Sequence, residues 1–419
     1  MSESKMAPRL FFLILAFLTI IGGVLRVYGL ADTHPTGDEY YTIAEAFDYM
    51  VRGHYGLEMW HHPKLRNILV YLAVRSFGTG TEGFRLASIA FGIMTVPLTG
   101  LVARRLTRSD AAALLATLFM TVDAIHIELS RQAIQEVYMP FFLLLGIYLA
   151  LRYKSSRNPL LLVFAGVVFG LGMASKWNVA VPLVLTLILL GYLCLKQGGQ
   201  FTSANSTEFL LFFATLVILP LTVYCLTYYP WFYFRGYDLS EWLSTQKLML
   251  AENLVHQGAN PEMLQVQDHS PLLWFVRPVG FADFLMNGNE PVVVLGISNP
   301  LVWLLTLPAV AYLMYHIRKL DWQRLFLLAL FWFSYLPFVL TRRLTEAITA
   351  LTVTPFAFMA VASVIMTLIK GKRYRSYYLA VYACLVVLIA LPLYLLAIGK
   401  GYGTVMQPIL ELYRPMHER

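Results

Sequence analysis

Two carboxylates stand side by side in Thr36-Gly37-Asp38-Glu39-Tyr40-Tyr41, just beyond the first long apolar run of the chain. A carboxylate at the mouth of a membrane span is a candidate for proton chemistry or cation handling, because a low-dielectric wall raises its proton affinity while water still reaches it. The spacing also allows a plainer duty. Thr36-x-x-Glu39 reads as a capping box ahead of an amphipathic helix ending near Arg52, whose expected apolar face is Tyr40, Ile43, Ala44, Phe47 and Met50/Val51. A cap uses one carboxylate, so Asp38 stays available as a general base for a hydroxyl.

Further polar groups recur at intervals. His61-His62-Pro63-Lys64-Leu65-Arg66 offers two histidines and two cations. Adjacent histidines point apart and no third ligand has a fixed spacing, so metal ligation is the weaker reading. Lys64 and Arg66 open a short helix whose free amides favour an anion, the alternative being cations that snorkel to lipid headgroups. Between two spans lies Asp123-Ala-Ile-His126-Ile-Glu128-Leu-Ser130-Arg131-Gln-Ala-Ile-Gln-Glu136. Arg131 is placed there either to pair with Asp123 or Glu128 or to grip a phosphate. Lys176-Trp177 follows an apolar run and reads alone as a cation beside an interfacial aromatic. Trp231, Trp242, Trp274, His256 and His269 belong to one long segment, as a carbohydrate-stacking wall or an interfacial girdle.

The elements that must position these residues are membrane helices. Of 419 residues 58% are hydrophobic and 13% are charged, about half the charge of a soluble domain. Spans of roughly 17–25 residues are expected from Leu10–Leu30 through Phe84–Ala103, Ala111–Ile127, Val137–Leu151, Leu160–Ala174, Val179–Leu195, Phe209–Tyr229, Ile297–His316, Leu325–Leu340 and Ala347–Leu368 to Tyr377–Ala397. The first reads as an uncleaved anchor, its apolar core being too long for a signal peptide and without a clear small-residue cleavage site. Leu65–Phe77, interrupted by Arg66 and Arg75, is too short to cross and is expected to lie in the interface as an amphipathic helix. Cys194, Cys225 and Cys384 sit in apolar runs and give no disulfide framework, only small core hydrophobes.

The net charge of +8 does not point to nucleic acid, because it collects in short connections: Arg104/Arg105/Arg108, Arg152/Lys154/Arg157, Arg318/Lys319/Arg324 and Lys370/Lys372/Arg373/Arg375. These alternate with acid-rich connections, so the basic loops are expected in the cytoplasm, the N-terminus inside and the C-terminus outside. The expectation is an all-α integral membrane protein of about eleven spans. It divides into a catalytic transmembrane module over residues 1–230 with a first outer loop at 31–83, a long outer loop at 231–296, and C-terminal transmembrane helices at 297–419.

Taken in order, these residues resemble the protein O-mannosyltransferase family, prokaryotic type, and its aminoarabinose-transferring relatives. Asp38-Glu39 is similar to the family's acidic pair of the first outer loop. His62-Pro63-Lys64-Leu65 resembles its His-Pro-Pro-Leu, with Lys64 in place of the second proline. Asp123, Ser130-Arg131 and Glu136 resemble its second outer turn, and Gly170-Leu-Gly-Met-Ala-Ser-Lys176-Trp177 its Gly-Leu…Lys-Trp motif. Tyr229-Pro-Trp231-Phe, Arg277-Pro278-Val279, Asn299-Pro300-Leu-Val-Trp303 and Tyr335-Leu-Pro-Phe with Arg342 are similar to later signatures, although Leu344-Thr-Glu-Ala-Ile stands where an aromatic-histidine stretch is expected.

The resemblance implies a GT-C fold in a cell inner membrane, active on its outer face. It implies an inverting transferase that takes a sugar, mannose first, from a polyprenyl-phosphate donor to an acceptor hydroxyl, Ser/Thr of a secreted or envelope protein. A lipid A-like glycolipid or polysaccharide acceptor is the alternative. On this reading Asp38 is the base and Glu39 its orienting or acceptor-binding partner. Lys64, Arg131, Lys176 and Arg342 bind the donor phosphate, and His62, Asp123, Glu136, Trp177 and Trp231 line the substrate. The scheme requires no metal, and the outer-loop histidines leave a divalent ion as an alternative. A transporter or flippase is the reading of another class; it calls for ionisable residues at the bilayer midplane, whereas here the charges gather toward one face.

Overall fold

The computed structural model describes residues 6–32, 37–54, 62–198, 203–255, 271–276, 280–287, 290–340 and 347–400. In chain order the helices are α1 (Pro8–Val27), α2 (Gly37–Arg52), α3 (Leu65–Phe77), α4 (Thr81–Thr107), α5 (Asp110–Val122), α6 (Ala124–Ser130), α7 (Tyr138–Ser156), α8 (Leu160–Ser175), α9 (Ala180–Gly198), α10 (Ser203–Phe213), α11 (Leu219–Leu226), α12 (Tyr229–Arg235) and α13 (Leu239–Val255). After a hairpin come α14 (Pro300–Trp303), α15 (Thr306–Tyr315), α16 (Trp322–Leu340), α17 (Thr354–Leu368) and α18 (Arg375–Ala397).

Among the described residues six helices are long and apolar enough to cross a membrane; α5 and α6, bent by 56°, add a seventh span. Four shorter apolar helices, at Leu160–Ser175, Trp177–Leu193, Pro300–Tyr315 and Thr354–Leu368, coincide with the remaining runs. The chain is therefore a multi-pass membrane protein. Ser109, extended, caps α5 by accepting from the Ala112 amide, and Pro300 starts α14 behind an Asn299 cap, as start signals require.

The charged ends segregate. At one end Arg104 pairs with Asp110 at 2.6 Å, Arg108 with Asp321, and Arg157 with Glu208. Arg324 donates to the Thr107 carbonyl, and the Lys154 ammonium lies 3.3 Å over the Trp322 ring. These are the basic connections that the sequence assigns to the cytoplasm. The other end carries α2, α3, α6, α12 and α13.

Span packing relies on close backbone approach. On α8, a Cβ at Gly166 would strike the Thr215 carbonyl oxygen and one at Gly170 would lie 2.7 Å from the Pro220 carbonyl oxygen. The small-xxx-small spacing lets the helices touch. Facing it, residues Ala214–Ile218 form a π-turn between α10 and α11, directly ahead of Pro220, which has no N–H to continue an α ladder.

Four expectations need correction. Residues 280–297, expected as loop, hold an antiparallel hairpin, β1 (Gly280–Asn287) and β2 (Glu290–Ile297), in register from Gly280↔Ile297 to Asn287↔Glu290. Asp123–Glu136 is not a tight turn: it folds into α6 and is buried throughout. Cys225 and Cys384 are exposed on the helix surface rather than core; the Cys194 side chain lies outside the described residues. The largest correction concerns α2. Of its expected apolar face Ile43, Phe47 and Met50 do pack against the core, but Tyr40, Ala44 and Val51 are exposed, and the fully buried positions are Glu39, Thr42, Glu45, Ala46 and Tyr49. The helix turns its carboxylates inward because cations from α3 and α4 wait there, and leaves an apolar stripe outward, as a helix in a membrane interface can.

Candidate functional site

The inward face of α2 builds the site. Positions 38, 42, 45 and 49 recur at helical spacing along one stripe, and position 39 begins the adjacent one. Glu39, 1% exposed, accepts from Arg85 of α4 through both oxygens, Nε–Oε1 at 2.7 Å and Nη2–Oε2 at 2.6 Å. Its Oε1 also accepts from the Ala133 amide at 2.9 Å. Arg85 in turn donates to the Leu30 carbonyl beyond α1. This bidentate pair clamps α2 to α1, α4 and the segment after α6. The Asp38 side chain lies outside the described residues, as do His61, His256, His269 and Arg342.

On the neighbouring stripe Glu45 gathers two cations. Lys64 Nζ donates to its Oε1 at 2.6 Å and Arg66 Nη2 to its Oε2 at 2.8 Å. Arg66 Nη1 continues to Gln135 Oε1 at 2.5 Å, Gln135 Nε2 to Glu136 Oε1 at 3.0 Å, and Lys176 Nζ to the same Glu136 oxygen at 2.8 Å. Every member of this chain is buried. Lys64 and Lys176, far apart along the sequence, thus share one hydrogen-bonded assembly. His62, 7% exposed, stands immediately before it. Burial pulls the Lys64 ammonium down to about 8, opposed by the Glu45 carboxylate and assisted by the Arg66 charge.

The other half of the expected second outer turn does something else. Asp123 caps α6 by accepting from the His126 amide at 3.0 Å. His126 Nδ1 lies 2.8 Å from Arg26 Nη2, and Arg26, buried, also bonds Ser130 and the Met120 carbonyl. Arg131 pairs with neither Asp123 nor Glu128. It donates to the carbonyls of Arg26, Tyr28 and Gly29, at 3.1, 2.6 and 2.9 Å, and so caps the end of α1. In this structure the guanidinium is held by backbone carbonyls. Glu128 instead accepts from the Gly296 amide of β2 at 3.0 Å and from Gln132, pinning the hairpin to α6; Gly296 is required because a Cβ there would strike the Glu128 carboxylate.

Aromatics border the charged group. Tyr49, one turn beyond Glu45, donates from its hydroxyl to the Thr227 carbonyl. Trp177 Nε1 donates to the Tyr224 hydroxyl at 2.9 Å, and that hydroxyl reaches Tyr228 and Gln246 of α13. Trp231 is 3% exposed and meets Tyr237 edge-on at 4.8 Å. Trp177 and Trp231 therefore adjoin one cluster, whereas Trp274 packs elsewhere, with Tyr335 and Phe338. Among the described residues no three His, Cys, Asp or Glu side chains come together as a group that could hold a metal ion.

The sequence reading named Lys64, Glu136 and Lys176, and the structure brings them together. It missed Glu45, Arg85 and Gln135. Glu45 had a signal: it lies seven residues after Asp38, two helical turns along the same stripe. Arg85, inside an apolar span, was a buried cation in want of a carboxylate.

Comparison with known proteins places the arrangement. The chain is 24% identical over 263 residues to a polyprenol-phosphate-mannose–protein mannosyltransferase of Corynebacterium glutamicum, covering 52% of this chain and 50% of that protein. The chain spans half or less of the length of the curated relatives it matches. Its fold matches that of the Saccharomyces cerevisiae protein O-mannosyltransferase Pmt1-Pmt2 complex bound to the sugar donor, with a TM-score of 0.78 at 13% identity over 97% of this chain and 92% of that one. It also matches ArnT from Cupriavidus metallidurans bound to undecaprenyl phosphate, with a TM-score of 0.54 at 15% identity over 94% and 75%. The fold is thus that of the GT-C membrane glycosyltransferases. Residues 13–234 match the model of the dolichyl-phosphate-mannose-protein mannosyltransferase family, and the chain belongs to that family.

Proposed function

We propose that the chain is an inverting membrane glycosyltransferase that moves mannose from a polyprenyl-phosphate carrier to a Ser or Thr hydroxyl of a secreted or envelope protein, at the outer face of the membrane. One observation carries the reading: Lys64, Arg66 and Lys176 are drawn into a single buried group at the end of the molecule where α2 presents position 38. The family match supports it, as do the fold relatives solved with a sugar donor and with undecaprenyl phosphate.

The chemistry follows from the group. The bond between the anomeric carbon and the phosphate oxygen breaks, and the acceptor oxygen bonds to that carbon from the opposite side. Negative charge grows on the departing phosphate, where fixed cations in a dry site contribute several kcal/mol. Lys64, Arg66 and Lys176 supply them, Glu136 and Gln135 holding Lys176 and Arg66 in place. Asp38 takes the acceptor proton. Glu39, locked to Arg85, fixes the helix that carries it.

Reconstitution tests this directly: the purified chain in liposomes, polyprenyl-phosphate-[3H]mannose, and either a Ser/Thr-rich peptide or a glycolipid. Label on the peptide with release of polyprenyl phosphate is expected. Label on the glycolipid alone would reassign the acceptor, and no transfer to either would overturn the reading.

Two predictions arise here. Lys64 is charged below about pH 8 and neutral above it, so kcat/KM for the donor is expected to fall as pH rises through about 8. Lys64→Arg, which keeps its charge, is expected to remove that alkaline limb. The same group makes stability rise with pH from about 8 to 10.5, because the unfolded lysine binds the proton that the folded one has lost. Arg131→Ala is expected to cost about 1–3 kcal/mol by leaving the buried Arg26 carbonyl and the part-buried carbonyls of Tyr28 and Gly29 without this donor, read as a lower unfolding temperature with donor KM as in the wild type. A raised KM in a well-folded Arg131→Ala protein would return that residue to the phosphate.

A further inference from the structure

We propose that Glu45 is the positioning residue of the phosphate site: it gathers Lys64 and Arg66 at the start of α3 and holds them as one preorganised donor pair for the incoming anion. The inference rests on the reading of Lys64 as a donor-phosphate ligand and adds a residue to which neither the sequence motifs nor that reading gives a role.

The geometry is specific. Glu45 is 5% exposed and uses one oxygen for each cation, Oε1 for Lys64 and Oε2 for Arg66. Lysine carries its charge on four rotatable methylenes and would otherwise sample many positions, so a fixed acceptor removes entropy that binding would have to remove later. Arg66 is held from a second side by Gln135 and from a third by Asn67, whose Oδ1 accepts from Arg66 Nε at 3.3 Å. Asn67 is fully buried, and its Nδ2 has no hydrogen-bond partner. A buried N–H without an acceptor is costly; beside two cations it is what an anion oxygen would satisfy.

Glu45 holds rather than reacts, since each of its oxygens already accepts from a cation. It also sets the charge of the group. Among the described residues the titratable side chains that act on Lys64 include Glu45 from α2 and Arg66 from α3, with Tyr49 beside Glu45; Glu136 and Lys176 are joined to the group through Arg66 and Gln135. Of these, Glu45 raises the proton affinity of Lys64, by its charge and by the hydrogen bond, and Arg66 lowers it. Removing the Glu45 charge therefore makes Lys64 lose its proton at a lower pH.

The test uses the full chain in liposomes with polyprenyl-phosphate mannose, comparing Glu45→Gln, Glu45→Asp, Lys64→Met and the double variant Glu45→Gln/Lys64→Met. Glu45→Gln is expected to raise donor KM about tenfold or more while kcat falls far less. It is expected to move the alkaline limb of kcat/KM down by about half a pH unit or more. Glu45→Asp, which keeps the charge one methylene short, should restore the pH limb and part of the KM. The double variant should lose clearly less than the sum of the two single losses, because Glu45 and Lys64 share one interaction, with the remainder coming from the Arg66 that Glu45 also holds. Wild-type KM and an unmoved limb in Glu45→Gln, or additive losses in the double variant, would overturn the proposal. Should Glu45→Gln fail to fold, Glu45→Asp decides by the same KM and pH readings, with smaller shifts expected and wild-type values overturning it. Failure of the parent reading looks different: Lys64→Met would then itself leave donor KM unchanged.

Discussion

Asp38→Asn is expected to abolish mannose transfer in the reconstituted assay while the protein stays folded. The amide fills the same volume and keeps an acceptor oxygen but cannot take the proton of an attacking hydroxyl. Loss of a general base costs about 10²–10⁴-fold. We assign the base to Asp38 from its residue type and from its place on α2, two helical turns before the Glu45 that gathers Lys64 and Arg66. Thermal unfolding in detergent monitors folding, and turnover of labelled donor monitors chemistry. Turnover near the wild-type rate would remove Asp38 from the role of base.

The second large effect is expected in stability. Arg85→Ala leaves Glu39 buried without its bidentate partner and strips the Leu30 carbonyl of its donor. Breaking a buried pair from one side costs about 3–5 kcal/mol. Because Glu39 ties α2 to Arg85 and to the Ala133 amide, the damage should centre on α2, and transfer should be lost together with protection of that helix in hydrogen exchange. Arg85→Met with Glu39→Met removes both charges and should recover much of the stability without recovering activity. If the single variant unfolds at the wild-type temperature, the clamp is not what seats α2.

How far the sequence reaches depends on what each reading had to weigh. The spans were legible because hydrocarbon demands long apolar helices, and the expected runs fall on the helices found, including Leu65–Phe77 lying as α3. Lys64, Glu136 and Lys176 were legible as polar residues at span ends. The buried face of α2 was legible only in part. Periodicity turns Ile43, Phe47 and Met50 toward the core, where they pack, but it gives no reason for Glu39, Thr42, Glu45 and Tyr49 to be more deeply buried; they are, because Arg85, Lys64 and Arg66 stabilise the carboxylates there. Pairing over 19 to 46 positions of sequence is invisible to a local pattern. The contacts of Arg131 were illegible for a related reason: they are backbone carbonyls at the end of α1, which no side-chain spacing announces. The hairpin could have been anticipated, since Gly288-Asn289 between two apolar stretches is a two-residue turn signal.

The π-turn at Ala214–Ile218 has a consequence for the far end of its helix. One residue more per turn shifts the angular phase of everything after it. Run as uninterrupted α, the segment would deliver Tyr224 about 100° further around the axis, out of reach of Trp177 and Gln246. The surplus residue therefore works as a vernier, and the tight approach of Gly166 to Thr215 locks the setting. The azimuth at which the aromatic cluster meets the charged group is thus decided deep in the hydrocarbon, well away from the cluster itself.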